Sequence, residues 1–151
     1  MRKDNEYVRL TREEDICLKL AERYSTLLCP IHKNDILVFE WKTQRSQRYW
    51  AKICRISGIF KALIKSLDVD AKFIIQIPTS SWEQLTDIQR QWVLFHELMH
   101  INFDPEKQKY KLIQHNIQDF RVILNKIGLD GYKSNTLTSM LDKDPISFQA
   151  I

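Results

Sequence analysis

Trp92-Val93-Leu94-Phe95-His96-Glu97-Leu98-Met99-His100-Ile101 is the stretch whose reading decides the fold. It contains the pattern H-E-x-x-H. Four positions along an α-helix make just over one turn, a rise of about 6 Å, so His96 and His100 are expected to project from one face. Two imidazoles so placed can bind one Zn²⁺ ion at about 2.0–2.1 Å each. Glu97 follows the first of them, close enough to act on water beside the ion without being a ligand. The remaining positions are apolar, as expected of a buried helix that delivers its polar residues into a cleft.

The residues before this stretch predict where the helix starts. Thr86-Asp87-Ile88-Gln89 reads as a capping box, with Thr86 at the N-cap, Gln89 reaching back and Asp87 favoured at the positive helix end. Ile88, Trp92, Phe95 and Met99 then recur at helical spacing. The competing interpretation is a buried helix whose two histidines only make hydrogen bonds. The well-capped helix, and a third ligand candidate downstream, favour the metal.

A chain of 151 residues with 44% apolar and 28% charged residues is the length and composition of one soluble globular domain. We expect a single domain over 1–151: an N-terminal helix in 1–30, a sheet region in 35–78, metal-site helices in 81–128 and a C-terminal tail in 129–151. The charged start Met1-Arg2-Lys3-Asp4 has no apolar run behind it, and nothing approaches the roughly 18 uninterrupted apolar residues of a membrane span. A cytoplasmic protein with no membrane association is expected. Cys17, Cys29 and Cys54 are odd in number and form no C-x-x-C pair, so reduced thiols are expected rather than a disulfide framework or a zinc ribbon. Histidine is scarce: His32, His96, His100 and His115 are the four, which keeps the search for a third ligand short.

The net charge is +4. Arg45, Arg48, Lys52 and Arg55 lie close together and are interleaved with Tyr49 and Trp50, a pattern able to meet nucleic-acid phosphates. A solvated strand face explains them as well and is preferred.

Elsewhere, Thr11-Arg12-Glu13-Glu14 has the form of another capping box, and Ile16, Leu20, Tyr24 and Leu27 or Leu28 mark one face of a helix from about Glu13 to Leu28. Cys29 to Asn34 reads as a loop carrying His32. Strands are expected at Ile36–Trp41, Tyr49–Ile56 and Phe73–Ile77, the last stopped by Pro78, with a short helix over Phe60–Leu67. Ser81–Gln84 resembles a helical turn before the Thr86 cap. The metal helix should run to about Asn102, Phe103–Tyr110 should be loop, and a second helix should span Leu112–Ile127, closed by Gly128. A last short helix is expected over Ser134–Leu141.

A catalytic zinc usually takes three protein ligands and leaves one position for water. His115 is the best third ligand: it follows His100 by fifteen positions, at the expected start of the next helix. Asp119, one turn farther on, would orient a ligand histidine or replace His115 as ligand. With zinc lowering the pKa of water toward about 7, Glu97 would accept a proton as the water attacks a peptide carbonyl, then pass it to the leaving amine. Tyr110 and Tyr132 are candidates, by position alone, for assisting the oxyanion.

From Ile74 onward the sequence resembles the putative phage metallopeptidase family, small zincins encoded by phages and bacterial mobile elements. The matching stretches are Phe73-Ile74-Ile75-Gln76-Ile77, Trp82 before the capped helix, Gln89-Arg90 through His96-Glu97-Leu98-Met99-His100-Ile101, and His115-Asn116-Ile117-Gln118-Asp119-Phe120 through Gly128. Asn116 stands where the family usually has an acidic residue. The resemblance implies an α+β, zincin-like (minigluzincin-type) fold, with a small mixed sheet packed on the H-E-x-x-H helix. It implies His96, His100 and His115 as ligands of one Zn²⁺, Glu97 as the catalytic residue, and a peptide or protein substrate. The core motif also resembles the SprT-like proteases, which act on proteins crosslinked to DNA, although the chain lacks their paired-cysteine zinc ribbon.

The alternative class is a catalytically silent zincin-fold binding protein acting on a host protein or DNA. Glu97 argues against it, because a purely structural site gains nothing from that residue. Such a site would also need a fourth ligand, from His32 or a cysteine.

Overall fold

The computed structural model describes residues 6–42, 50–113, 139–141 and 145–146. Four strands form one sheet: β1 (Glu6–Arg9), β2 (Ile36–Lys42), β3 (Lys52–Arg55) and β4 (Phe73–Pro78), in the order β1-β2-β4-β3. β2 and β4 run parallel, with Ile36 opposite Phe73 and Glu40 opposite Ile77. β1 and β3 flank them as antiparallel edges. The two central strands are nearly continuous apolar runs, Ile36-Leu37-Val38-Phe39 and Phe73-Ile74-Ile75, which is what a strand covered on both faces requires.

Both faces are covered. Ile36, Val38, Ile75 and Ile77 pack into the main core with α1 (Thr11–Arg23) and α4 (Asp87–Met99). Leu37, Phe39 and Ile74 face the other way, against Phe60 and Ile64 of α2 (Ile59–Leu67). A short α3 (Thr79–Trp82) leads from β4 toward α4. A second, two-stranded sheet, β5 (Ile101–Asp104) with β6 (Lys109–Leu112), follows α4 immediately. The architecture is the α+β arrangement expected, a small mixed sheet on the motif helix with further helices around it. No helix of the described residues is long and apolar enough to cross a membrane.

The Thr86 capping box forms as the sequence predicts. Gln89 N–H donates to Thr86 Oγ1 at 3.2 Å and Thr86 N–H to Gln89 Oε1 at 2.8 Å. Thr86→Ala should therefore lower stability by about 1 kcal/mol, read as a shift in the urea midpoint. An unchanged midpoint would show that packing alone fixes the start of α4.

The second expected box does not form. Thr11 is already helical, Leu10 is the N-cap without a side-chain bond, and the helix ends at Arg23 rather than Leu28. Glu14 is buried and turned toward the sheet, where it accepts from Arg9 Nε (2.9 Å), Arg9 Nη2 (2.8 Å) and Val38 N–H (3.2 Å). The reason lies at the edge. β1 stops at Arg9, so the amide of Val38 lacks a strand partner, and a buried amide needs an acceptor. Glu14 supplies it, and Arg9 balances the charge. The sequence offered no strand at Glu6–Arg9 because four residues of mixed polarity carry little pattern.

The chain after α4 also differs. The helix stops at Met99 instead of Asn102, and residues 101–112, expected as helix end, loop and helix start, form the β5–β6 hairpin. Ser139–Leu141, the described end of the expected 134–141 helix, are not helical. They lie across α1 and α4: Met140 is fully buried, its N–H donates to Gln91 Oε1 (2.9 Å), and Tyr24 donates its hydroxyl to the Met140 carbonyl (3.1 Å).

Candidate metal centre

The motif falls on the last turn of α4. Trp92, Leu94, Phe95 and Leu98 are buried in the core, which fixes the rotation of the helix and sends His96, Glu97 and His100 to one side. Phe95 meets Tyr24 edge-on at 5.4 Å, tying α4 to the end of α1, and Trp92 of its own helix at 6.4 Å. His96 and His100 are half-buried and Glu97 is 7% exposed. One ligand atom from each of the three lies within 4.8 Å of the others, and the two imidazole rings stand 5.3 Å apart, inclined at 62°. Both imidazoles and the carboxylate therefore converge, as the four-residue spacing predicts.

Two backbone groups orient this cluster. The Ile53 N–H of β3 donates to Glu97 Oε2 at 2.9 Å, so the edge strand of the sheet holds the carboxylate. His100 Nδ1 lies 2.5 Å from the Ile113 carbonyl, and Ile113 N–H donates to the His100 carbonyl at 2.6 Å. A carbonyl can only accept, so Nδ1 carries a hydrogen, and in the neutral ring Nε2 is then the nitrogen with the lone pair. This is how a ligand histidine is commonly held: one nitrogen anchored by a backbone oxygen, the other left as donor to a cation. His100 itself is the C-cap of α4, not an interior residue.

The β5–β6 hairpin makes the second of these contacts. It starts one residue after His100 and returns the chain to it at Ile113. Asp104 Oδ1 accepts from the Glu106 and Lys107 amides at the tip, and Gln108 takes a left-handed φ of 53° to close the turn. Tyr110 anchors the hairpin to the main sheet. Its ring lies 5.0 Å from Phe103 and 6.4 Å from Phe73, and its hydroxyl donates to the Pro30 carbonyl at 3.3 Å. These contacts give Tyr110 a packing role.

Other candidate residues stand as follows. His32 is exposed on its loop, outside the cluster of His96, Glu97 and His100, and among the described residues no cysteine joins that cluster. Burial pushes all three thiols up, most strongly Cys17, where the carboxylates of Glu14, Glu13 and Glu97 add to the effect. Lys52 and Arg55 are exposed on β3, consistent with a solvated strand face. His115, Asp119, Tyr132, Arg45, Arg48 and Tyr49 lie outside the described residues. The contributions of Ile53 and Ile113 were invisible in the sequence, since a main-chain amide or carbonyl leaves no mark on residue type.

The donor set fits a divalent ion. Two imidazole nitrogens beside a buried carboxylate are the nitrogen and oxygen ligands that zinc and neighbouring transition ions take. The arrangement also separates two jobs. The imidazoles suit cation binding, while the carboxylate, fixed through one oxygen by a strand amide, suits proton transfer.

Comparison with known proteins adds a family. No curated protein and no solved structure matches the chain. A family model described as putative phage metallopeptidase matches residues 6–143, from β1 through the motif helix and beyond the hairpin. Since that match takes in most of the chain and the whole of the His96–His100 cluster, the chain belongs to the putative phage metallopeptidase family.

Proposed function

We propose that this protein is a zinc-dependent metallopeptidase that hydrolyses peptide bonds, acting in the cytoplasm and encoded by a phage or bacterial mobile element. The reading covers a single domain over 1–151. The observation that carries it is the convergence of His96, Glu97 and His100, with His100 Nδ1 anchored on the Ile113 carbonyl.

His96, His100 and His115 are the proposed ligands. Support for His115 comes from the hairpin. Ile113 is hydrogen-bonded to His100 at both its amide and its carbonyl, and His115 is two residues farther along. Two residues span at most about 7 Å, a length compatible with a third ligand at His115. Asp119 is proposed to orient one of these histidines or to stand in as ligand.

A divalent ion bound there would polarise the scissile carbonyl and acidify water in the site. The protein's own groups account for the rest. The Ile53 amide holds Glu97 through Oε2 and so fixes the orientation of the carboxylate that moves the proton. Glu97 takes a proton from the attacking water and delivers it to the leaving amide nitrogen as the C–N bond breaks. Burial of Glu97 at 7% exposure limits competition from bulk water for that proton.

A cleavage assay on an unstructured protein such as casein tests this. Activity should disappear with 1,10-phenanthroline and return when zinc is added back. Cleavage that persists through exhaustive chelation would refute a metal-dependent mechanism.

A further inference from the structure

The strand that holds Glu97 also carries a charge pattern that the peptidase reading leaves unused. Among the described residues β3 is an edge strand, bonded to β4 on one side. The N–H of Ile53 points away from β4, to Glu97. In an antiparallel pair the outward-facing amides alternate, so Arg55, two residues on, presents its N–H along the same free edge. An extended peptide added to that edge would lie alongside the general base, its main chain bonded to β3 and its side chains alternating between the two faces.

The side chains of this edge are of one sign. β3 reads Lys52-Ile53-Cys54-Arg55, and Lys52 and Arg55 are both exposed. Neither forms an ion pair among the described residues. Arg55 pairs with Phe73, whose ring belongs to the core face shared with α4 and meets Tyr110 of the hairpin. Directly paired residues point to the same face, so Arg55 stands on the motif side of the sheet, about 7 Å along the strand from Ile53. Lys52 lies on the opposite face. The strand of the hairpin beyond adds exposed Lys109 and Lys111; Asp104 is engaged in capping the turn, where exposed Glu106 and Lys107 offset one another.

We propose that the substrates are extended peptide segments bearing Asp or Glu beside the scissile bond, with Arg55 reading the acidic side chain on the motif face and Lys52 the one on the other face. The proposal rests on the peptidase reading, and it names the substrate class. A cleft rimmed by one sign of charge draws oppositely charged chains and repels like ones. Each exposed ion pair should change affinity by up to about fivefold.

Binding to the Glu97→Gln protein tests the charge preference separately from cleavage. The probes are fluorescein-labelled decapeptides of Gly, Ser and Ala that carry two Asp, two Asn or two Lys, together with a labelled oligo-dT strand, read by anisotropy at low salt and in 0.5 M NaCl. The Asp peptide should bind tightest and the Lys peptide weakest, with about fivefold between neighbouring steps. The order should shrink in a background that also carries Arg55→Glu or Lys52→Glu, reverse when both are present, and flatten at high salt. Wild-type kcat/KM should follow the same order. Equal binding of the three peptides, an order unmoved by Arg55→Glu, or tighter binding of the oligonucleotide than of the Asp peptide would overturn the proposal. If the order is found but the wild type cleaves none of the peptides, the acidic preference stands and the peptidase reading fails.

Discussion

Exchange of Glu97 for Gln is expected to lower peptide cleavage by about 10²–10⁴-fold, the usual contribution of a positioned general base, with bound metal unchanged. Gln has nearly the same shape, and its amide oxygen can still accept from the Ile53 N–H that now holds Oε2 at 2.9 Å. What it cannot do is take a proton from water. The side chain is buried with the ligand candidates but is read as a base, so its loss should leave metal stoichiometry intact. Turnover measured with a quenched fluorescent peptide, beside metal analysis of the same sample, separates the two effects. Cleavage undiminished in the variant would favour a protein that binds without turnover. Loss of metal together with activity would make Glu97 a ligand.

The largest stability effect is expected at Phe95, the residue before the first histidine. It is fully buried, packs on Trp92 of its own helix and joins α4 to the end of α1 through Tyr24. Phe95→Ala removes a large apolar side chain from a site whose neighbours belong to two helices and cannot both collapse inward. A loss of about 3–5 kcal/mol follows, or roughly 10 °C in melting temperature for a domain of this size. Thermal and urea unfolding in the presence of chelator measure the packing term without contribution from a bound ion. A change below about 1 kcal/mol would mean that α4 is not anchored where the packing places it.

The motif helix and the central strands were legible in the sequence because each carries several agreeing signals. Thr86 and Gln89 start α4, its apolar residues recur at helical spacing, and β2 and β4 are dense in β-branched and aromatic residues. The edges were not legible. β1 has four residues of mixed polarity. The hairpin closes on a left-handed Gln108 where glycine or asparagine would have announced a turn, and Ile101–Asp104 follows the helix with no glycine or proline between them. Thr11 and Glu14 have capping-box spacing, yet a strand amide and Arg9 compete for the Glu14 carboxylate and win, because leaving Val38 N–H buried and unpaired costs more than losing a cap. In the candidate site, side chains recovered the two histidines and the glutamate. The Ile53 amide and the Ile113 carbonyl could only come from the fold.

The most direct test is metal content per chain in the purified, folded protein, run beside His100→Ala and His115→Ala. The account predicts one zinc ion per wild-type chain and little or none in either variant, with circular dichroism showing that both remain folded. A folded wild type that takes up no divalent metal would contradict it, and so would a His115→Ala protein that holds zinc as tightly as the wild type.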